Sequence, residues 1–185
     1  MRKIFAFIVV SVDGYHAGPN REVDWHHVDE EFEAFSMEQL GEADTLLFGR
    51  ATYEVMAAHW PKQQGTGIAG TMNGLDKIVI SRTLEKAGWT NTRLVSTNVE
   101  DELTALKRRP GKDIAILGSS TLTAGLLPTG LIDELRLLVN PIVLGEGRSL
   151  LNAAGTTRLE LTKTRPFRSG SILLCYRPHA APLTS

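Results

Sequence analysis

Asp113-Ile114-Ala115-Ile116-Leu117-Gly118-Ser119-Ser120-Thr121-Leu122 decides the fold. The apolar run 114–117 stops at a glycine, and Ser119, Ser120 and Thr121 then open a helical pattern. A buried strand that ends in glycine and passes at once into a helix N-terminus offers free N–H groups to an anion, the geometry of a phosphate cradle. The same residues also fit an ordinary strand-to-helix turn with a serine N-cap, because short loops of this kind are the default in α/β folds. A second junction of the same design occurs at Leu46-Leu47-Phe48-Gly49-Arg50-Ala51-Thr52. Two cradles on one small chain point to a diphosphate-containing ligand. Arg50 adds to this, since a cation at a helix start opposes the helix dipole and is easier to explain with an anion beside it.

A third strand end carries Ile80-Ser81-Arg82. Its guanidinium suits bidentate phosphate recognition, and an arginine near an adenosine ribose is the usual selector of a 2′-phosphate. A solvated surface arginine is the competing reading.

Around these junctions, continuous apolar runs at 4–10, 45–48, 77–80 and 114–117 suit strands buried on both faces, the habit of parallel sheets. Helical patterns lie between them. Val28, Phe32, Phe35 and Leu40 share one face; Asn98 reads as the N-cap of a helix with Glu100 and Asp101 in its first turn and Lys107, Arg108 and Arg109 at its end; a third helix runs from about Ser120 to Leu127. Residues 133–140 form a further strand, and 157–164 with 171–176 alternate around 166–170 as a hairpin. The fold class is therefore α/β, three-layered, with a central, mostly parallel mixed sheet ending in an antiparallel C-terminal hairpin. Residues 1–178 make one domain and 179–185 a flexible tail. The Gly-rich stretch 59–74 reads as a long surface loop.

The bulk properties bound the function. A chain of 185 residues holds one sizeable core, and a net charge of −1 predicts no general affinity for nucleic acid or anionic membrane. The apolar run at 4–10 is too short for a signal peptide and lacks a cleavage pattern, and no stretch approaches a membrane span, so a cytoplasmic protein is expected. The one cysteine, Cys175, excludes an internal disulfide and a CxxC zinc site. His16, His26, His27 and His59 make no metal constellation, and GxSxG is absent. No metal is expected.

Two carboxylates compete for acid chemistry. Asp13 follows the first strand in a glycine-punctuated loop, as a proton donor, a substrate anchor or a plain Asx-turn residue. Glu31 lies at the edge of the first helix's apolar stripe, where desolvation would suit a proton donor, or where it simply reaches water.

These pieces together resemble the dihydrofolate reductase superfamily, most closely the branch of the riboflavin-biosynthesis reductase domain, the RibD C-terminal domain, as a stand-alone member. The resemblance is carried in order by Ser11-Val12-Asp13-Gly14, Phe48-Gly49-Arg50-Ala51-Thr52-Tyr53, Ile78-Val79-Ile80-Ser81-Arg82, Leu117-Gly118-Ser119, Gly130-Leu131-Ile132-Asp133-Glu134-Leu135 and Pro141-Ile142-Val143-Leu144-Gly145-Glu146-Gly147. It implies NADPH lying across the carboxyl ends of the strands, with Gly49, Arg50, Ala51 and Thr52 at the pyrophosphate, Ser81 and Arg82 at the 2′-phosphate, and Gly118, Ser119, Ser120, Thr121 and Leu122 at the turn that meets the phosphates. Asp13 matches the acidic position of the riboflavin-type loop, and Trp25 and Glu31 fall near the tryptophan and helix carboxylate of dihydrofolate reductases. The implied activity is NADPH-dependent reduction of a small heterocycle such as 5-amino-6-(5-phosphoribosylamino)uracil; dihydrofolate or carbonyl reduction, and a catalytically silent NADP-binding protein, stand as alternatives. By the same resemblance a homodimer is expected, with the hairpin and the 133–147 strand meeting across a two-fold axis. Family members carry Gly-Gly where this chain has Gly118-Ser119, so one Cβ must be accommodated beside the phosphates.

Overall fold

The computed structural model describes residues 1–63, 65–152 and 154–179. Their elements run β1 (Ile4–Ser11), β2 (Tyr15–Ala17), α1 (Glu30–Glu42), β3 (Ala43–Gly49), α2 (Arg50–His59), α3 (Ile68–Gly74), β4 (Asp76–Ile80), β5 (Thr92–Val95), α4 (Val99–Arg108), β6 (Asp113–Leu117), α5 (Ser120–Leu126), β7 (Glu134–Asn140), β8 (Arg148–Ser149), β9 (Leu159–Pro166) and β10 (Ile172–Pro178). Eight strands form one sheet in the order β5-β4-β3-β6-β1-β7-β10-β9, and β2 and β8 make a separate two-stranded ribbon. The first six strands of that order pair in parallel. The last two are antiparallel.

The apolar runs end up where two-sided burial requires them. All eight residues of β1 are buried, and each large apolar side chain taken fully from water contributes about 1.5–3 kcal/mol. Alternation sorts them into layers. Ile4, Ala6, Leu47, Ile78, Ile114 and Ile116 face Leu103 and Leu106 of α4 and Ala124 and Leu126 of α5. Phe5, Leu46, Phe48 and Val79 face Tyr53 of α2 and Met72 of α3. Phe7, Val9 and Leu138 meet Phe35 of α1 on that same side. The sheet is thus sandwiched between two helical layers.

The amino end of the sheet is closed by charge. Arg2, almost fully buried, pairs with Asp44 and donates to the Thr45 hydroxyl. Buried Lys107 meets Asp133 at 2.5 Å and the Leu131 carbonyl at 2.9 Å. Asp133 also accepts from the Ile4 N–H, and Asp44 from the Lys112 N–H.

Several expectations need correction. The stretch read as a 59–74 surface loop holds a 3₁₀ turn at Trp60–Lys62 and α3, because Ile68 and Met72 find apolar partners under β3 and β4. β5 is a strand the reading lacked; it is short, and only Val95 is buried. α1 begins at Glu30, with Asp29 as its cap and Val28 exposed, not packed on the helix's apolar face. Asn98 adopts a left-handed φ of 50° and makes no side-chain cap bond; Glu100, Asp101 and Glu102 meet the N-terminus of α4 instead. β7 lies inside the sheet between β1 and β10, so its edge is closed to a partner. Residues 180–185 of the expected tail lie outside the described residues; His179 is exposed.

Candidate functional site

β3 and β6 are neighbours whose chains depart in opposite directions. After β3 the chain passes through α2 and α3 to β4 on one side; after β6 it passes through α5 over β1 to β7 on the other. Ligands of open α/β sheets bind in the crevice at the carboxyl ends of such a pair. Gly49 ends β3 and Gly118 follows β6, so both glycine junctions open on this crevice. β4 lies on the other side of β3, which places Ser81 and Arg82 beside them. The three strand ends found in the sequence are therefore contiguous, in the order β4-β3-β6.

The two cradles are tied together. The Gly49 N–H donates to Ser119 Oγ at 2.9 Å, and the Ser119 N–H donates to Thr52 Oγ1 at 3.2 Å. Gly118 suits its place by its backbone rather than by space. Its φ of +74° is one that residues with a Cβ rarely adopt, while an added Cβ would only come into ordinary contact with Thr52 Cγ2 at 3.4 Å. Ser119 does not cap α5 with its side chain; its hydroxyl is turned across to β3. The extra Cβ at the Gly-Gly position is thereby housed, and Ser119 is buried. The Ser120 hydroxyl, also buried, accepts from the Leu151 N–H at 3.3 Å. Thr121 is exposed and Leu122 half-buried at the opening turn of α5.

Charge distinguishes the helix starts at this crevice from those of α1 and α4, though α3 likewise lacks both acidic first-turn residues and a side-chain cap. α1 and α4 carry three acidic residues each in the first turn. α2 and α5 carry none, and neither has a side-chain cap. The positive ends of these two helix dipoles thus remain uncompensated and adjacent, which suits a phosphate. Arg50 does not face an unmet anion. It pairs with Glu54 one turn on at 2.7 Å and donates to Thr83 Oγ1 at 2.7 Å, fastening α2 to the turn after β4. Ala51 is exposed beside it. The Ser81 hydroxyl accepts from the N–H groups of Thr83 and Leu84, so it shapes that same turn. Arg82 is exposed on it and makes no ion pair among the described residues.

The two candidate carboxylates stand elsewhere. Asp13 accepts from the N–H groups of Leu144 and Gly145, at 3.1 and 2.8 Å. The Ser11 hydroxyl foremost, with the Gly145 and Leu144 amides, holds its carboxyl below the usual aspartate value. An ionised, fully bonded carboxylate is a poor proton donor and a good anchor; it fastens the loop after β7 to the exit of β1. Glu31 accepts from the Arg168 N–H at 2.9 Å and lies 3.4 Å from the Arg168 guanidinium. It lines an open groove with His27, Asp29, Glu30 and Ser169, beside the start of α1 and away from the β3–β6 crevice. Trp25 donates to the Glu22 carbonyl and packs against the aromatic cluster under α1. The sequence reading missed the long-range partners of these groups, which sit 131 to 137 positions away. No group of three or more metal-ligating side chains occurs among the described residues, and no helix among them is long and apolar enough to cross a membrane.

The same architecture appears in known proteins. The chain is 32% identical over 180 residues to YyaP of Bacillus subtilis (strain 168), an uncharacterised protein, covering 95% of this chain and 94% of that one. A pyrimidine reductase-like protein from Corynebacterium diphtheriae shares the fold with a TM-score of 0.71 at 17% identity, over 96% of this chain and 92% of its own. Dihydrofolate reductase from Enterococcus faecalis, solved with NADP(H), superposes with a TM-score of 0.61 at 15% identity, over 95% and 96% of the two chains. The family model of the RibD C-terminal domain matches residues 2–173, and with that span, this sheet order and these paired glycine junctions, the chain belongs to the RibD C-terminal domain family.

Proposed function

We propose that the chain is an NADPH-dependent reductase of a small heterocycle, most like 5-amino-6-(5-phosphoribosylamino)uracil. One observation carries the reading: two uncapped, acid-free helix N-termini meet at the switch point of the sheet, beside an arginine that makes no ion pair among the described residues. The residues suit the cofactor. The amides opening α2 and α5 would hold its pyrophosphate, and Arg82 its 2′-phosphate. Bound NADPH supplies the hydride. The protein orients the reactants and excludes water. Asp13 keeps the 144–145 loop against β1, so its part is positioning; Glu31 is held by Arg168, and solvent delivers the proton. Dihydrofolate is the weaker substrate, because the helix carboxylate that would meet a basic pteridine is here engaged by Arg168.

We also propose a homodimer, formed through the outer strands. β9 is an exposed edge strand, and Leu159, Leu161 and Ile172 leave apolar surface there. Of the two elements in the expected interface, the hairpin is kept, and β7, paired on both edges, is left out. Fluorescence titration with NADPH and NADH, followed by a turnover assay on the ribosylaminopyrimidine, tests the central reading. Failure of NADPH to bind would refute it; binding without turnover on any reducible heterocycle would favour a silent nucleotide-binding protein.

A further inference from the structure

The hydroxyls of Ser119 and Ser120 are neighbours in the chain, yet they leave the phosphate crevice in different directions. That of Ser119 crosses to Gly49 of β3. That of Ser120, on the first residue of α5, accepts from the Leu151 N–H at 3.3 Å, 31 positions away. Ser120 is buried, so water competes little for this bond. Leu151 ends a strap that starts in the loop after β7 and is fastened along its length. Asp13 holds the Leu144 and Gly145 N–H groups, β8 pairs Arg148 with Ala17 and Ser149 with Tyr15, and the Leu150 N–H donates to the Gly14 carbonyl at 2.8 Å. These three fastenings all reach the chain leaving β1. Among the described residues, the Ser120 bond alone ties the strap to the phosphate crevice.

The joint at Leu151 is held rather than relaxed. Its φ is 52°, in the left-handed region that a leucine seldom enters. Such a conformation persists where the surroundings over-determine it. Three contacts do so here: the Ser120 bond on its N–H, the Ala154 N–H donating to its carbonyl at 3.0 Å, and its side chain packed on the core cluster that holds Ala124 and Leu126 of α5. The strap also has little room to drift. Gly147, at φ +154°, lets it run so close to β2 that a Cβ would lie 2.4 Å from the Ala17 carbonyl oxygen. A bond that closes one strained joint between two fixed bodies is either made or open, and coupling between separate sites needs a two-state element of this kind.

We propose that Ser120 is a positioning residue that couples the phosphate crevice to this strap: an anion on the amides opening α5 fixes the 118–120 turn, strengthens the Ser120–Leu151 bond and so steadies the β2–β8 ribbon at the exit of β1. The proposal rests on the NADPH reading and adds to it a route by which the bound cofactor acts on the rest of the fold. Coupling is reciprocal, so the factor by which NADPH slows exchange of the Leu151 amide is also the factor by which the bond favours NADPH. Amide-resolved hydrogen exchange of the full chain measures the first, and a fluorescence titration the second. Saturating NADPH should slow the Leu151 amide about fivefold, the value of one neutral hydrogen bond. The Arg109 amide, bonded to the Leu106 carbonyl at the far end of α4, should stay within about twofold. Ser120→Ala keeps the amides of α5; it should raise the Kd for NADPH by the same factor, about fivefold, and abolish the slowing at Leu151. Ser120→Thr, which keeps the hydroxyl, should restore both. Exchange in the wild type does not depend on any variant's folding. If bound NADPH leaves the Leu151 amide unmoved, if Ser120→Ala binds NADPH as the wild type does, or if the threonine variant loses as much as the alanine one, the coupling is overturned and the reductase reading stands. NADPH that fails to bind the wild type in the titration would sink both.

Discussion

Replacing Ser119 with alanine removes one oxygen, and the geometry of the crevice fixes two consequences of opposite sign. That oxygen accepts the Gly49 N–H at 2.9 Å from a buried side chain. An unpaired buried donor costs about 1–3 kcal/mol. Gly49 is only half-buried, so water reaches the freed N–H and the cost falls near the lower end, about 1 kcal/mol. No cap is lost in addition, since the hydroxyl does not cap α5. For a domain of this size that lowers Tm by about 2–4 °C. The same freed N–H opens on the place assigned to the pyrophosphate, where a charge-assisted bond contributes about 1.5–3 kcal/mol. After the displaced water is counted, roughly 1 kcal/mol should remain, a tightening of NADPH by about fivefold. Scanning fluorimetry of the free chain and a fluorescence titration measure both. A less stable protein that binds NADPH more tightly is expected. An unchanged Tm, or a Kd for NADPH raised tenfold, would refute the reasoning and make Ser119 Oγ a direct ligand of the phosphates.

Arg82→Ala should weaken NADPH by about 10- to 100-fold, the worth of one arginine–phosphate contact, and leave NADH within twofold; equal losses in parallel titrations contradict the 2′-phosphate assignment. Lys77 is buried and donates to the carbonyls of Asn73, Leu75 and Thr90, so Lys77→Met should cost about 2–4 kcal/mol in urea denaturation by leaving those acceptors unmet. Asp13→Asn should lower kcat/KM at least about tenfold while sparing NADPH affinity, because the amide cannot accept from both loop N–H groups. The Asp13 carboxyl is held below 3.8, so its contribution to stability is present at neutral pH and lost as pH falls through that lowered value; the gap between wild type and Asp13→Asn should close only in strong acid. His26 gives the complementary profile. Its pKa is about 4 in the fold against 6.5 for a free ring, so the unfolded chain takes up a proton first and stability drops as pH falls from 6.5 to 4. That drop is worth roughly 2 kcal/mol once solvent screening of a partly exposed ring is allowed for, and it should vanish from the stability profile of His26→Phe.

The parts of the fold legible in the sequence are those with a local cause. The runs at 4–10 and 114–117 are continuous because both faces of β1 and β6 are covered, and such runs have few other readings. The hairpin strands announce themselves by alternation around 166–170. β5 escaped because an edge strand with one buried residue leaves almost no pattern. α3 escaped because glycines at both its middle and end, Gly70 and Gly74, mask a short helix that packing stabilises. In the site, the glycine junctions were readable from the strand-to-helix transition itself. Their mutual tie was not. Ser119 and Gly49 are 70 positions apart, and whether a hydroxyl caps its own helix or reaches across to a neighbouring strand depends on sheet order. Asp13 and Glu31 were found as carboxylates in suggestive places, but their partners at 144–145 and 168 belong to loops whose positions only the closed fold defines.

The charged seal at the amino end of the sheet has a further meaning for how this protein can change. Arg2, Asp44, Lys107 and Asp133 lock together the termini of strands that are distant in sequence, on the side opposite every candidate binding residue. A deep mutational scan should therefore divide the molecule in two. Substitutions at this seal should abolish expression, whereas the carboxyl-end loops should accept wide variation and alter only what is bound. Descendants of one ancestral frame could exchange those loops, and with them their chemical appetites, without having to refold the body that carries them.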